Sequence, residues 1–401
     1  MSDNKEHTTV PGTTQTGTQG DDNYEGNEGN DHLETGEGND HILGAGGDDT
    51  LSGGAGNDIV DGGTGDDRIL GHDGSGDDDY IGGAGSDTVD YVGSTMPLTV
   101  NLSTGSASGS DIGHDTLREI EHVVGGDAND TLVGNAGNNH LEGGHGNDSI
   151  DGGSGDDTAL YGTALSNYTL TKTGNSYTVV DKSGTNGTDH LTNVEKIQFG
   201  DKTVNLTVQA KAAALSSSDL THLEELYVGF FNRVPDADGL AYWIDQKSAG
   251  QSITQIAESF YTAGVQNSSL TGLSAGMSNA DFVNSIYRNV LGRSEGADAE
   301  GLAHWSGELA SGKATHGSLV SSILDSAHTF KGNATWGHVA DLLDNKITVA
   351  KTFAVDWGLN YNTSNDSITH GMEIAAAVTS TSTTHALELV GVSAAEMHLM
   401  G

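Results

Sequence analysis

Glycine and aspartate recur with a nine-residue period through the first part of the chain. The stretch GGAGNDIVDGGTGDDRIL, residues 53–70, is two such units, each with glycines at its start, aspartate at position six and one apolar residue at position eight. Eight units run through residues 17–90 and four through residues 125–160. A fixed short period is typical of solenoids, in which each unit contacts its neighbours. The seventh unit, GHDGSGDDDYI, has two extra residues, which we expect to enlarge one turn without changing the later register.

A single unit has too little apolar surface to fold unaided. It buries one apolar side chain, which stabilises far less than ordering nine residues costs, and its aspartates repel one another. Calcium binds six to eight oxygens from carboxylates and backbone carbonyls, and glycine lets a turn bring carbonyls close to an ion. The period therefore predicts a parallel β-roll with calcium ions in rows along its turns and the eighth-position side chains inside.

The repeated pattern G-G-x-G-x-D-x-U-x, where U is apolar, resembles the RTX (repeats-in-toxin) family, whose repeats bind calcium. The resemblance implies that the residues at the sixth positions, with carbonyls of the turn glycines, bind the ions, about 8–10 in all if stack ends lose sites. Asn139 departs from the pattern and implies a weaker site. The implied ligands are Asp22, Asp31, Asp40, Asp49, Asp58, Asp67, Asp78, Asp87, Asp130, Asn139, Asp148, Asp157, Gly29, Gly38, Gly47, Gly56, Gly65, Gly146 and Gly155.

The segments around the two blocks have other compositions. Residues 1–16 are predicted to be a disordered tail, and residues 91–124 a β-rich spacer with alternating short strands. The spacer phrase DTLREIEHV, residues 115–123, returns as DHLTNVEKI, residues 189–197. We interpret residues 161–208 as a β-rich segment that covers the end of the roll, and residues 209–218 as an alanine- and serine-rich linker.

The apolar period changes to that of helices after residue 218. Leu220, Leu223, Leu226, Tyr227 and Phe230 form one helical stripe, with Asp219 as the expected N-cap. A second stripe with Phe282 and Ile286 repeats the first, because YVGFFNRVPDADGLAYW, residues 227–243, aligns with YRNVLGRSEGADAEGLAHW, residues 287–305, after a two-residue insertion. The predicted fold class is therefore multidomain β + α: a parallel β-roll, then an all-helical domain over residues 219–360 with a duplicated helix pair, then a tail over residues 361–401.

Charge and composition exclude several classes of partner. The formal net charge is −41, and Arg68 and Arg118 are the only lysine or arginine residues in residues 17–160, so nucleic acid and anionic lipid are unfavourable partners. No apolar run is long enough to span a membrane, and the N-terminus lacks the apolar core of a signal peptide. The RTX resemblance implies type I secretion through an uncleaved C-terminal signal, for which residues 361–401 are the candidate. The expected location is extracellular or the bacterial cell surface.

Signals of catalysis are weak, and no enzyme activity is expected. The zinc-protease motif HExxH is absent, and GLSAG around Ser274 matches a nucleophile elbow without the preceding strand that such an elbow needs. Asp236 and Asp238, with Asp298 and Glu300 in the second copy, are interpreted as helix caps or partners of Arg233 and Arg293.

The helical phrases resemble a domain of unknown function that occurs beside RTX repeats and in bacterial surface-layer proteins, over about residues 219–330. The expected function is therefore a secreted calcium-binding protein with a structural, adhesive or self-assembling role at a surface. Its possible partners are a second copy, a surface layer or a cell-surface polysaccharide, besides the type I secretion machinery. The alternatives are an RTX-linked enzyme or effector whose active site lies unrecognised in the helical domain, and a soluble calcium-binding carrier that does not assemble.

Overall fold

A computed structural model describes residues 12–72 and 74–399 and divides the chain between Phe199 and Gly200 into two compact units. We call them the roll unit, which ends at Phe199, and the helical unit, which begins at Gly200. Among the helices of the described residues, none is both long and apolar enough to cross a bilayer. The two predicted classes of structure, β-roll and all-helical, thus occupy separate units.

Short strands make up the roll unit, because each nonapeptide leaves only about three residues between turns. A 3₁₀ helix, Leu165–Asn167, precedes β18. The strands are β1 (Thr14–Thr16), β2 (Asn23–Glu25), β3 (His32–Glu34), β4 (His41–Gly46), β5 (Thr50–Ser52), β6 (Ile59–Thr64), β7 (Arg68–Leu70), β8 (Asp79–Ala84), β9 (Thr88–Asp90), β10 (Leu98–Asn101), β11 (Ser106–Gly109), β12 (Gly113–Arg118), β13 (His122–Val124), β14 (Thr131–Val133), β15 (His140–Glu142), β16 (Ser149–Asp151), β17 (Thr158–Leu160), β18 (Tyr168–Thr173), β19 (Ser176–Asp181), β20 (Thr188–Thr192) and β21 (Lys196–Gln198).

Successive strands alternate between two sheets, so that one coil of the roll takes two units, or 18 residues. The first sheet follows the order β1-β3-β5-β7-β9-β13-β15-β17-β21, and the second follows β2-β4-β6-β8-β12-β11-β10-β14-β16-β20-β19-β18. Pairing between repeat strands is parallel, as in His32 opposite Thr50 and Ile42 opposite Val60. The predicted parallel β-roll is confirmed.

The spacer joins the two blocks into one roll. Strands β10, β11 and β12 pair antiparallel with one another, while β12 pairs parallel with β8 and β10 pairs parallel with β14. The seventh unit keeps the register as predicted, since Asp79 lies opposite Ile59 and Tyr80 opposite Val60. Its Asp73 lies outside the described residues.

A single column of side chains on each sheet forms the core between the sheets. The eighth-position residues from Leu33 to Ala159 are buried, whereas Tyr24 at the open start of the roll is half-buried. Period-two alternation explains this, because only the middle residue of each three-residue strand points inward. The predicted core positions of the roll are confirmed.

The helical unit contains short strands β22 (Lys202–Asn205), β23 (Leu359–Tyr361) and β24 (Met397–His398), of which β22 and β23 pair antiparallel. A π-helical turn, Lys351–Asp356, follows α9. The helices are α1 (Val208–Ala213), α2 (Ser217–Phe231), α3 (Ala237–Ser248), α4 (Ile253–Gln266), α5 (Ser268–Thr271), α6 (Asn279–Leu291), α7 (Ala299–Ala310), α8 (His316–His328), α9 (Gly337–Ala350), α10 (Ser364–Ala377) and α11 (Thr384–Val390).

The duplicated pair corresponds to α2–α3 and α6–α7, and α2, α4, α6 and α8 pack against one another. Phe230, Phe260 and Phe282 form the aromatic centre of this core, with Phe230 ring centroids 6.0 and 6.4 Å from the other two. Phe282 and Ile286 are buried as the helical period predicts. The two copies differ in burial: α3 buries Leu240 and three other residues, whereas α7 buries none.

Several predicted boundaries are wrong. Residues 209–218 are not a linker, because helix α1 and the start of α2 cover most of them, and α1 buries Val208 and Ala212. Residues 361–401 include α10 and α11, which bury Ile374 and Val390 in the helical unit. Within residues 1–16, Thr14–Thr16 forms β1, and residues 1–11 lie outside the described part.

The N-cap of α2 is also corrected. Ser216 caps the helix, because its Oγ accepts a hydrogen bond from the Asp219 N–H, and Asp219 lies three residues further on. The predicted covering segment, residues 161–208, supplies β18–β21 and the 3₁₀ helix up to Gln198. Its last residues belong to the helical unit as β22 and the start of α1.

Candidate metal centre

The sixth-position carboxylates bind one another's backbone along the roll. In each turn the backbone N–H of the sixth residue donates to a carboxylate oxygen one coil further on, which belongs to the next sixth residue in all but the last turn of each series. In the centre of the first block, Asp40 N–H donates to Asp58 Oδ1 and Asp49 N–H donates to Asp67 Oδ1, both at 2.8 Å. We call each such series a carboxylate ladder. It explains why aspartate, with one oxygen for the backbone and one to spare, recurs at this position.

There are four carboxylate ladders in the described residues. The first two run through the first block, and the last two run through the second block. In chain order they are Asp22–Asp40–Asp58–Asp78–Asp115, Asp31–Asp49–Asp67–Asp87–Glu121, Asp130–Asp148–Asp189 and Asn139–Asp157–Glu195.

The second carboxylate oxygen is unpaired in many of these turns. Among the described residues, seven of these Oδ2 atoms are buried and have no hydrogen-bond partner. An unpaired buried oxygen of a charged group is costly, so the turns favour a positively charged ligand. The seven belong to Asp40, Asp49, Asp58, Asp67, Asp87, Asp148 and Asp157.

The electrostatics of the turns agree with this geometry. Burial, and to a smaller extent the neighbouring carboxylates of the ladder, raise the pKa of Asp49 and Asp58 to about 6 against the lowering effect of a backbone hydrogen bond. Burial raises the pKa of Asp148 to about 7, with repulsion from Asp189 as a further cause. In the absence of a cation, ionising these buried and neighbouring carboxylates therefore opposes folding of the roll.

Carbonyl oxygens lie beside the unpaired carboxylate oxygens. A Cβ added at Gly44 would lie 2.3 Å from Asp49 Oδ2 and 2.5 Å from the Gly62 carbonyl oxygen. At Gly62 the corresponding oxygens are Asp67 Oδ2, at 2.3 Å, and the Gly82 carbonyl, at 2.6 Å. Only glycine leaves room for both oxygens, so the first position of the unit is explained by the approach of a carboxylate and a carbonyl from successive coils.

The predicted fourth-position glycines also serve close stacking. Gly56 has φ 134°, and a Cβ there would lie 1.7 Å from the Gly38 carbonyl oxygen one coil earlier. Gly38, Gly47, Gly65, Gly146 and Gly155 share a positive φ, whereas Gly29, in the second unit, does not.

The oxygens present suit calcium better than a transition metal. Within residues 12–72 and 74–399, no three histidine, aspartate or glutamate side chains converge as a metal cluster. A cation in the turns would therefore take one or two carboxylates and otherwise backbone carbonyls, which is the ligand set of calcium. When bound, calcium would supply positive charge and oxygen coordination, while the chain's own residues hold the turns in register.

Sequence reasoning missed the ends of the ladders. Asp115 and Glu121 end the first two, and Asp189 and Glu195 end the last two, although none belongs to a nonapeptide unit. The sequence does contain a signal: both pairs occupy equal positions in DTLREIEHV and DHLTNVEKI. The ladders of each block therefore end in these repeated phrases.

Other predicted residues have structural positions in the helical unit. Asp236 caps α3 and pairs with Arg233, and Asp298 caps α7 and pairs with Arg293, which confirms the interpretation of these two residues. Asp238 and Glu300 are not the caps but lie in the first turns of α3 and α7. Ser274 lies exposed in the connection between α5 and α6, without a preceding strand.

The fold and turns define a class of protein: a parallel β-roll whose stacked acidic turns suit calcium, followed by a helical unit. Comparison with protein families agrees. The RTX calcium-binding nonapeptide repeat matches residues 16–51, 43–75, 52–89 and 124–159, and the domain of unknown function DUF4214 matches residues 265–332. A search of curated proteins found no match. The chain thus contains RTX repeats, which bind calcium and are usual in secreted proteins, together with a DUF4214 domain.

Proposed function

We propose that this protein is secreted, that its β-roll folds on binding calcium outside the cell, and that its helical unit is a non-enzymatic module for contacts at a cell surface. The observation that carries the first part is the set of seven buried, unpaired carboxylate oxygens. Sites of millimolar to sub-millimolar affinity are typical of extracellular calcium modules. Such sites would remain empty at cytosolic calcium and fill after export.

Folding and calcium uptake are coupled in this proposal. Without a cation, the ladders bring carboxylates together with no positive charge between the coils, which opposes stacking. Binding to the folded chain alone stabilises it by mass action, so the roll would form as calcium rises. An unfolded acidic chain before export would also suit passage through secretion machinery.

The proposed surface role rests on the helical unit and on the RTX repeats that accompany it in the chain. DUF4214 accompanies RTX repeats here, and the resemblance of its phrases to surface-layer proteins favours a structural, adhesive or self-assembling role. The duplicated pair also leaves α7 with no buried residue, unlike α3, so its surface is available for contacts.

Size-exclusion chromatography with light scattering tests this function directly. In chelator we expect a large hydrodynamic radius, and in millimolar calcium a smaller radius followed by species well above 41.2 kDa. A smaller radius at an unchanged mass would contradict self-assembly and leave the carrier alternative. No change in radius would contradict calcium-dependent folding.

A second candidate function, binding of a cell-surface polysaccharide, is favoured by a cleft in the helical unit. An apolar cavity of about 160 Å³, walled by Tyr227, Trp243 and Phe260, adjoins a polar cleft of about 340 Å³ that contains Asn360. Arg233 lines both parts and is 8% exposed. Aromatic walls beside a few polar groups are typical of small-molecule sites.

The polar groups of this cleft favour a neutral, oxygen-rich ligand. Arg233 Nε and Asn360 Nδ2 are buried donors without an acceptor among the described residues. Asp236 and Asp238 lie in the same cleft, so a negatively charged ligand would be repelled. A sugar with an apolar face supplies oxygen acceptors without that charge.

Saturation-transfer NMR with N-acetylglucosamine and glucose as probes tests the cleft. We expect transfer to the native protein, loss of it in Trp243→Ala, and no loss in Trp305→Ala, which changes the equivalent tryptophan of the second copy. Equal behaviour of the two variants, or no transfer to the native protein, would contradict this candidate.

A further inference from the structure

The twelve sixth-position residues divide into three groups according to the contact of the side-chain oxygen that does not continue the ladder, which in Asn139 is its single oxygen. The first group is the seven turns whose Oδ2 is buried and unpaired among the described residues. We call these the unpaired turns. All twelve residues occupy the same position in the repeat, so the division is not a property of the sequence motif.

In the second group the carboxylate or amide is bonded by its own turn. The N–H of the second residue of the unit donates to the sixth residue of that unit, at 2.6–2.8 Å. We call these the self-bonded turns. The pairs are Thr18 with Asp22, Asn27 with Asp31, Gly126 with Asp130 and Asn135 with Asn139.

In the third group a tyrosine hydroxyl donates to the second oxygen. Tyr80 donates to Asp78 Oδ2 at 2.8 Å. The same contact recurs beyond the repeats, where Tyr91 donates to Asp115 Oδ2 at 3.0 Å and Tyr161 donates to Asp189 Oδ2 at 2.9 Å. We call these the tyrosine-bonded turns. Asp115 and Asp189 are the last members of the first and third ladders.

One peptide group distinguishes the unpaired turns from the self-bonded turns. The second residue of every unpaired turn has φ between 78° and 105°, whereas the second residue of every self-bonded turn lacks a positive φ. A positive φ turns the N–H of that residue away from its own aspartate. The unpaired oxygens therefore face no N–H of their own turn. Carbonyls lie beside the second oxygen in both groups, as the Gly62 carbonyl does at Asp49 and the Gly44 carbonyl does at Asp31, so the N–H contact is what differs.

The position of a turn in its ladder, rather than its residue type, decides the group. Ala45 has a positive φ of 78° in an unpaired turn, although alanine disfavours it, whereas Gly126 lies in a self-bonded turn. Each of the four ladders begins with a self-bonded turn. Each then continues through unpaired turns and ends in a tyrosine-bonded aspartate or in a glutamate.

We infer that the roll holds seven calcium ions, one at each unpaired turn, and that the self-bonded and tyrosine-bonded turns are metal-independent ends of the ladders. This inference rests on the proposed calcium-dependent function and specifies its sites. In the end turns the second oxygen already accepts an N–H or O–H. A cation there would have to displace that donor or face its positive end.

Native mass spectrometry of the full chain in calcium measures the number of ions. We expect seven for the unaltered protein. Asp157→Asn changes the only unpaired turn of the fourth ladder, and we expect six ions. Asp58→Asn lies between unpaired and tyrosine-bonded neighbours of the first ladder, so we expect the loss of at least one ion and a several-fold higher calcium midpoint of folding.

Asp22→Asn is the matched control. An asparagine Oδ1 there can still accept the Thr18 N–H, as Asn139 accepts the Asn135 N–H, so we expect seven ions and an unchanged midpoint. A count of eleven or twelve, or equal losses in Asp22→Asn and Asp157→Asn, would overturn the inference while leaving calcium-dependent folding intact. If the chain takes up no calcium and its hydrodynamic radius is the same in calcium as in chelator, the proposed function is contradicted together with the inference.

Discussion

Glu224 should make the helical unit less stable as the pH rises. Its side chain is 1% exposed in helix α2, and its Oε1 has no hydrogen-bond partner among the described residues. Burial raises the pKa of this carboxyl from 4.5 to about 8; Lys351 lowers it, and Asp356 and Glu225 raise it. The folded unit therefore holds Glu224 protonated at neutral pH.

The sign and size of the effect follow from proton linkage. The folded state binds the Glu224 proton more tightly than the unfolded state, so this contribution is full below pH 4.5 and is lost as the pH rises to about 8. An interval of roughly 3.5 pH units, at about 1.4 kcal/mol each, corresponds to about 5 kcal/mol. Since domains are typically stable by about 5–15 kcal/mol, this is a large fraction.

Urea unfolding followed by tryptophan fluorescence measures the helical unit selectively, because all four tryptophans follow Gly200. We expect the stability of native protein relative to Glu224→Gln to fall by about 4 kcal/mol of this total between pH 4.5 and 8, because the carboxyl is half titrated at each end of that range. Two other groups with shifted pKa values are present in both proteins. The pKa of His328 is raised by its bond to Glu225, and burial lowers the pKa of Lys346 to about 8. Parallel stability curves for the two proteins over this range would refute the reasoning.

Three changes in the roll have expected outcomes, the first two measured by urea unfolding with circular dichroism in saturating calcium and the third by a calcium titration of folding. Ile150→Ala removes a buried core side chain and should cost about 2–5 kcal/mol; a cost near zero would contradict the assigned core. Tyr161→Phe leaves Asp189 Oδ2 without its donor and should cost about 1–3 kcal/mol, which an unchanged midpoint would contradict. Gly56→Ala places a Cβ against the Gly38 carbonyl, so folding should require several-fold more calcium, and an unchanged requirement would contradict the stacking.

The repeat predicts the roll because its nine-residue period is strict and because side chains alternate strictly between the two faces of a strand. One apolar residue in each unit, such as Val60, can point inward only if successive units form successive strands, and this alone specifies two sheets and a narrow core. The helical stripes predict the buried faces of α2 and α6 for the same reason. The N-cap Ser216 and helix α1 were missed because short polar and alanine-rich stretches have weak periodicity, and tertiary contacts decide their conformation.

The grouping of the turns could not be predicted from the residues at each position. Gly126 and Gly54 are both second-position glycines, yet Gly126 donates to its own aspartate and Gly54 has φ 85°. What differs is the coil on which each turn stacks. The motif therefore specifies a set of possible sites, and the ends of the stack select among them.

The strands of the two blocks form one continuous roll, whereas their carboxylates form two separate sets of ladders. Strands β9, β13 and β15 continue through the spacer, so the apolar core is shared. The ladders of the first block instead end at Asp115 and Glu121, and the third ladder starts afresh at Asp130, whose Oδ1 accepts the Leu98 N–H of the spacer. Because nearest-neighbour coupling dominates in solenoids, calcium uptake at one turn should favour uptake within the same ladder most strongly. The spacer thus interrupts the charge coupling between the blocks while preserving the core.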